Sequence, residues 1–271
     1  MTTLRQSPSG PLVDLISSTS DVHNDSVVAG SDTSLALDVL ETRMRVLEAY
    51  EVLETFQGGV AGNVTGADQV GNVGDHSWSF FGSSATRNLG RPNDAQSKLG
   101  RYTVSGGTSM RVGVMLGSSG TPARGIGLLA TQINSIEWSG VCAASGGLNG
   151  QYRYGFGTSV SVASMGTDGI FFEGDDGIAG DTWRCIARKA GVPTLALTSV
   201  TWKPNGTYFK LGIFRLDDGR FRFDIDDVTV ATLAANAIPT TRMVAACQCE
   251  STVNSGQSIV FDTCRLRYRR L

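Results

Sequence analysis

At 271 residues, 41% hydrophobic and 18% charged, the chain can bury a sizeable core, either as one large domain with an appendage or as two. A net charge of −2 excludes the bulk attraction that nucleic acid or an anionic membrane needs, and no apolar run approaches the ~20 residues of a membrane helix. The 34 glycines disfavour a helical protein and suit many short strands joined by tight turns.

The opening MTTLRQSPSGPL has no apolar stretch of the kind a secretory signal carries, so a soluble protein made in a cytoplasm is expected. Residues 1–32 combine Pro8, Gly10 and Pro11 with one short apolar run, Leu12, Val13, Leu15 and Ile16, and then a polar tract. Such a segment buries too little apolar area to offset its ordering entropy, and it gains order only against something else. It is read as an extended anchoring arm, with those four apolar residues as the contacts.

Residues 33–56 carry a helical period. Ser31 or Asp32 suits an N-cap, and Leu37, Leu40, Met44, Leu47, Tyr50 and Leu53 recur on one side, with Glu41 four residues before Arg45. A lone helix of roughly 33 Å is marginal in water, so an oligomerising stalk is expected, most simply a trimeric coiled coil. The stretch 57-QGGVAGNVTGADQVGNVGD-75 reads as a Gly-rich linker.

From residue 76 to 271 short strand-like runs alternate with turn signals: 101–105, 110–116, 126–133, 152–157, 169–173, 182–188, 207–216, 220–226, 228–233, 243–250 and 258–269. In 220-RFRFDID-226, Phe221, Phe223 and Ile225 face one way and Arg220, Arg222, Asp224 and Asp226 the other, the mark of a half-buried antiparallel strand. Asp218-Gly219 and Asp226-Asp227 close the hairpins on either side. The alternation in 265-RLRYRR-270 reads as the solvent face of a last strand. The body is expected to be all-β, a two-sheet antiparallel sandwich or jelly roll.

Chemistry is sparse. The five cysteines (Cys142, Cys185, Cys247, Cys249 and Cys264) form an odd set with no metal-type spacing; they are read as small buried thiols, with a disulfide to Cys264 or between subunits as the alternative. Glycoside hydrolysis needs two carboxylates about 5–9 Å apart. Asp224 with Asp226, and Glu173 with Asp175, have the spacing of a pair on one strand face, but the E-x-D-x-E strand of sandwich glucanases is absent. His23 and His76 are isolated, and no G-x-S-x-G occurs, so no triad is suggested and no enzyme is expected. Glu173, Asp175, Asp176 and Asp181 form an oxygen-rich set that would accept Ca2+, without the D-x-D-x-D-G loop; acidic tight turns are the alternative, and no other cofactor is implied. For a sugar, Trp202 and Tyr208, flanking the 203-KPNG-206 turn, are the aromatics most suited to a loop site, whereas Trp138, Trp183, Tyr152 and Tyr154 are expected mostly in the core.

The segments 168-DGIFFEGDD-176, 182-TWRCIAR-188, 207-TYFKLGIFRLDDGRFRFDIDDVTVATL-233, 238-IPTTRMVAAC-247 and 258-SIVFDTCRLRYR-269 resemble the concanavalin A-like (laminin G-like) sandwich of tailed-phage virion proteins. Asp227 stands where that pattern has glycine, leaving the turn type open. Independently, 20-SDVHNDSVVAGSDTSLALDVLET-42 is similar to the segment that precedes trimeric stalks in phage fibres and spikes. The resemblance implies a virion-localised, homotrimeric head fibre, decoration protein or short spike. Its arm would meet capsid, portal or tail proteins, and its sandwich would face outward; a tail-fibre tip recognising host surface glycan is the alternative it implies.

Overall fold

The computed structural model describes residues 49–55, 69–73, 78–82, 86–90, 101–106, 111–116, 127–141, 150–159, 165–175, 182–201, 208–251, 257–261 and 263–269. In chain order the strands are β1 (Ala49–Glu54), β2 (Gln69–Val73), β3 (Trp78–Gly82), β4 (Thr86–Gly90), β5 (Arg101–Gly106), β6 (Arg111–Leu116), β7 (Ile133–Val141), β8 (Gly150–Gly157) and β9 (Gly169–Asp175). They continue with β10 (Thr182–Lys189), β11 (Val192–Thr201), β12 (Tyr208–Arg215), β13 (Phe221–Ile225), β14 (Val228–Leu233), β15 (Val244–Ser251), β16 (Gln257–Phe261) and β17 (Thr263–Arg269). A six-stranded sheet runs β1-β17-β7-β12-β13-β14, an eight-stranded sheet runs β11-β10-β9-β8-β15-β6-β3-β2, and β16-β5-β4 form a small third sheet. The two large sheets make the antiparallel sandwich expected for the body. Residues Tyr50–Leu271 form one compact unit, and Met1–Ala49 are assigned to another.

Alternation explains which residues fill the space between the sheets. Phe209, Leu211 and Ile213 of β12, and Phe221, Phe223 and Ile225 of β13, point inward from one sheet; Tyr152, Tyr154, Phe156, Phe172, Trp183 and Cys185 point inward from the other. The aromatics meet edge to face: Trp78–Trp138 at 5.5 Å, Trp138–Tyr154 at 6.1 Å, Tyr154–Trp183 at 6.2 Å and Phe172–Phe223 at 5.1 Å between ring centroids. Each such pair adds about 0.5–1.5 kcal/mol beyond the area it buries. Cys185, Cys247, Cys249 and Cys264 are free, buried thiols, as the reading of small core residues implies, and burial pushes the Cys185 and Cys264 thiols up.

The expected helix fails where it can be checked. Ala49–Glu54 is a strand lying beside β17, so Tyr50 and Leu53 do not share a helical face. Period-two pairing serves these residues better. Val52 enters the core, Tyr50 stacks on Tyr268 at 5.6 Å, and Glu51 turns outward to Arg267 at 2.7 Å. A sheet edge thereby outweighs a weak helical preference. Leu37, Leu40, Met44 and Leu47, and the arm residues Leu12, Val13, Leu15 and Ile16, lie outside the described residues. The linker of 57–75 and the body boundary at residue 76 also shift, because β2 lies within the former and β1 before the latter.

The expected strand over 126–133 is instead one bridge, Leu128 to Met243, followed by a single tight turn at Ala130–Gln132. The Gln132 carboxamide accepts the Leu129 N–H at 2.9 Å, which holds the chain in a turn until β7 begins. The region expected as one strand over 258–269 is two, β16 and β17, which belong to different sheets.

The hairpins match their turn signals. Asp226 and Asp227 have φ of 51° and 65°, and Ile225 pairs with Val228, which makes a two-residue type I′ turn despite the missing glycine. Asp226 holds it by accepting the Lys210 backbone N–H on Oδ1 at 2.9 Å. Ala190-Gly191, with φ of 50° and 82°, turns β10 into β11 in the same way.

Candidate functional site

Among the described residues, the outer faces of the two sheets are surfaces on which a ligand could rest. On the eight-stranded sheet the register aligns Arg184 of β10, Glu173 of β9, Arg153 of β8 and Gln248 of β15 in one row. Arg153 donates from Nε to Glu173 at 2.5 Å, and from Nη1 to Gln248 at 2.8 Å and Glu250 at 2.7 Å; its Nη2 is bound by Gln151. Glu173 accepts a second guanidinium, that of Arg184. The Arg153 and Glu173 side chains are only 2% and 6% exposed. The next row is apolar: Phe171, Ile186 and Ala246, with Val244 beyond, are covered by Met165, which sits close over Gly157, where a β-carbon would come within 2.6 Å of the Met165 Cβ. Met165 itself has φ of 58°, a strained setting for a methionine. Among the described residues this face is buried, and Glu173 and Glu250 are committed to guanidinium partners.

The six-stranded sheet presents an open concavity. Two rows cross its centre: Thr263, Ser139 and Lys210 in one, Arg265, Glu137 and Gly212 in the next, drawn from β17, β7 and β12. Ser139 and Thr263 are short and hydrogen-bond each other, while Lys210, Glu137 and Arg265 are long and stand around them. Leu53 and Thr55, at the end of β1, complete the wall of a cavity of about 340 Å3. That volume lies at the lower end of the ~300–1,000 Å3 range of small-molecule sites.

The charges in this concavity are unevenly satisfied. Lys210 Nζ lies 2.6 Å from Asp227 and 3.3 Å from Glu137. The hydrogen bond to Asp227, joined by the weaker contact with Glu137, holds the ammonium above the usual lysine range. Arg267 takes Glu51 at 2.7 Å and holds that carboxylate below its usual range, whereas Arg265 Nε stands 3.5 Å from Glu51 and makes no hydrogen bond. Arg265 is therefore the least satisfied cation of the site.

Against this geometry, no family model matches the chain and no curated protein is similar to it. Solved structures do match. A protein of unknown function from Shewanella oneidensis MR-1 superposes with a TM-score of 0.51 at 8% identity, over 91% of this chain and 96% of that one. A β-glucanase from Bacillus licheniformis gives 0.44 at 11% identity (82% and 98% covered), and the carbohydrate recognition domain of Emp47p gives 0.44 at 11% identity (79% and 100%). The Shewanella likeness shows the sandwich fold.

The residues singled out by sequence are scattered rather than gathered. Trp202, Asp176, Asp181, His23, His76 and Cys142 lie outside the described residues; Tyr208 heads β12 opposite Val141, and Asp175 ends β9 opposite Gln151. Glu173 is held by two arginines. Asp224 is buried, accepts from Thr229 at 2.9 Å and pairs with Arg222 at 2.9 Å, while Asp226 serves its turn, so these two are structural carboxylates. Trp138, Trp183, Tyr152 and Tyr154 are core residues, as expected. The cavity residues Glu137, Ser139, Lys210, Thr263 and Arg265 were not anticipated. Their signal was period two: each is the outward neighbour of an inward Trp138, Phe209, Leu211, Cys264 or Leu266.

Proposed function

We propose that the chain is a non-enzymatic display protein of a tailed-phage particle, a trimeric head fibre, decoration or short spike that presents this sandwich outward. The observation that carries the non-enzymatic part is the state of its carboxylates. Glu173 and Glu250 are bound by Arg153 on a buried face, and among the described residues the open cavity is lined by one carboxylate, Glu137, where glycoside hydrolysis requires two. The virion role is supported by the order of two independent resemblances, the stalk-preceding segment at 20–42 and the sandwich segments from 168 onward. Residues 1–32 then serve as the anchor on capsid, portal or tail.

The test is direct. Mass spectrometry and gel densitometry of purified particles from a host producing this chain are expected to find it as a structural component at high copy number. Its absence from particles would overturn the role. Release of reducing sugar from host envelope by the purified full chain would overturn the non-enzymatic part alone.

A second reading, receptor recognition of host glycan, is favoured by the open concavity on the six-stranded sheet. Paired hydroxyls at its floor and the half-exposed Leu53 at its wall offer a sugar both hydrogen bonds and an apolar surface. Binding of the chain to host cells, removed by stripping their surface polysaccharide, is the outcome expected of this reading.

A further inference from the structure

The cavity between β1, β17, β7 and β12 has a chemistry that narrows its ligand. Its floor is a hydroxyl pair: when Ser139 and Thr263 bond each other, one proton is used and one O–H, with several lone pairs, remains to be offered. One wall is Leu53, a large side chain that is 42% exposed despite its apolar character. The other walls are Glu137 with Lys210, 3.3 Å apart, and Arg265 on the strand beside Leu53. Among the described residues, the lining charges are one carboxylate and two cations.

Of those cations, Lys210 is already held by Asp227 and Glu137. Arg265 is not held in this way, because the Glu51 carboxylate beside it is drawn to Arg267 at 2.7 Å and stands off at 3.5 Å. A planar guanidinium with donors to spare, set at the rim of a hydroxyl-lined hollow, matches a carboxylate carried on a polyhydroxylated ring. The hydroxyls of a neutral sugar could accept from those donors too, but only a carboxylate adds the opposite charge and the paired oxygens that fit the guanidinium fork.

We propose that this cavity is a binding subsite for a carboxylated sugar, a uronate or a sialate, with the carboxylate on Arg265, ring hydroxyls on Ser139, Thr263 and the Glu137–Lys210 pair, and an apolar ring face against Leu53. The proposal rests on the glycan-recognition reading and goes beyond it by assigning the site and the ligand class.

The experiment is titration calorimetry of the full chain with two matched pairs of probes. One pair is trigalacturonate and its carboxyl-reduced counterpart; the other is sialyllactose and its carboxyl-reduced counterpart. The expected result is binding of at least one acidic probe, weakened about tenfold or more by carboxyl removal and likewise by Arg265→Gln, with Arg265→Lys retaining part of the affinity. Equal binding of acidic and neutral members would overturn the ligand class and leave glycan recognition standing. Selective acidic binding untouched by both Arg265→Gln and Ser139→Ala would overturn the site. Binding of none of the four would overturn the proposal, while cell binding lost on polysaccharide removal would still support glycan recognition. Arg265 is a half-exposed strand residue, so the variants are expected to fold, and their thermal melts verify it.

Discussion

The two outer faces of the sandwich carry the same kinds of side chain in different surroundings. On the eight-stranded sheet, arginine and glutamate are packed dry, with Arg153 only 2% exposed among Glu173, Glu250, Gln248 and Gln151. On the six-stranded sheet, Arg265 and Arg267 are 41% and 45% exposed, and their partner Glu51 is 42% exposed. Coulomb attraction in a dry site is strong and costly to interrupt, while in water it is screened and exchangeable. The dry face is thus fixed as architecture, and the wet face keeps charges that a ligand can compete for.

The sharpest way to break that contrast is to remove one arginine from each face. Arg153→Ala leaves Glu173 and Glu250 without their shared guanidinium in a dry site, and is expected to cost about 3–5 kcal/mol. Arg265→Gln on the wet face is expected to change stability by no more than about 0.5 kcal/mol. Urea unfolding of both variants measures the difference. An Arg153→Ala cost below 1 kcal/mol would show that water reaches the first network and that the two faces are alike.

The hairpins extend the comparison with a smaller effect. Ala190, on the eight-stranded sheet, holds φ of 50° with no side chain to justify it, although its N–H is received by Asp168 Oδ1 at 2.9 Å. Ala190→Gly keeps that bond and relieves the left-handed strain, so a gain of about 0.5–1 kcal/mol is expected after the entropy cost of glycine. Asp227, on the six-stranded sheet, has φ of 65° but tolerates it better and also binds Lys210 at 2.6 Å. Asp227→Gly is therefore expected to gain less than Ala190→Gly, and paired thermal melts decide the ranking.

The difference between the faces also explains what could be read from the sequence. Strands with strict alternation and a marked turn, such as 220-RFRFDID-226 with Asp218-Gly219 and Asp226-Asp227, were legible because local chemistry and tertiary burial agree there. β7 was not, although it lies at the centre of a sheet. Its outward Ser135, Glu137 and Ser139 look like loop residues, and the bulge opposite Arg267 and Tyr268 puts Ile133 and Ile136 out of period, both inward. β1 was misread because Tyr50 and Leu53 fit a helical spacing as well as a strand, and only the neighbouring β17 decides between them. The cavity was hidden for a related reason. It is a pattern across β7, β12 and β17, and Ser139 and Thr263, which are 124 residues apart, meet only through register.

The smallest effect concerns how β1 is held at the edge of the wet face. Arg267 lowers the pKa of Glu51 from its usual value near 4.5, chiefly through their hydrogen bond. A carboxylate with a depressed folded value adds stability that is fully present above its unfolded value and is lost as the pH falls through the folded one. Glu51 is largely exposed, so after solvent screening the contribution is no more than a few tenths of a kcal/mol. Acidification below about 4.5 should therefore loosen β1 before it loosens the dry face, and Glu51→Gln should remove that pH dependence at a slight cost above it. Amide exchange of Val52 and Leu53 followed between pH 3 and 6 is the measurement, with Arg153-bearing β8 as the internal reference. If exchange at β1 shows the same pH dependence in the variant as in the parent chain, the Glu51–Arg267 pair does not secure the edge. The alternation that places Val52 in the core would then be holding β1 without it.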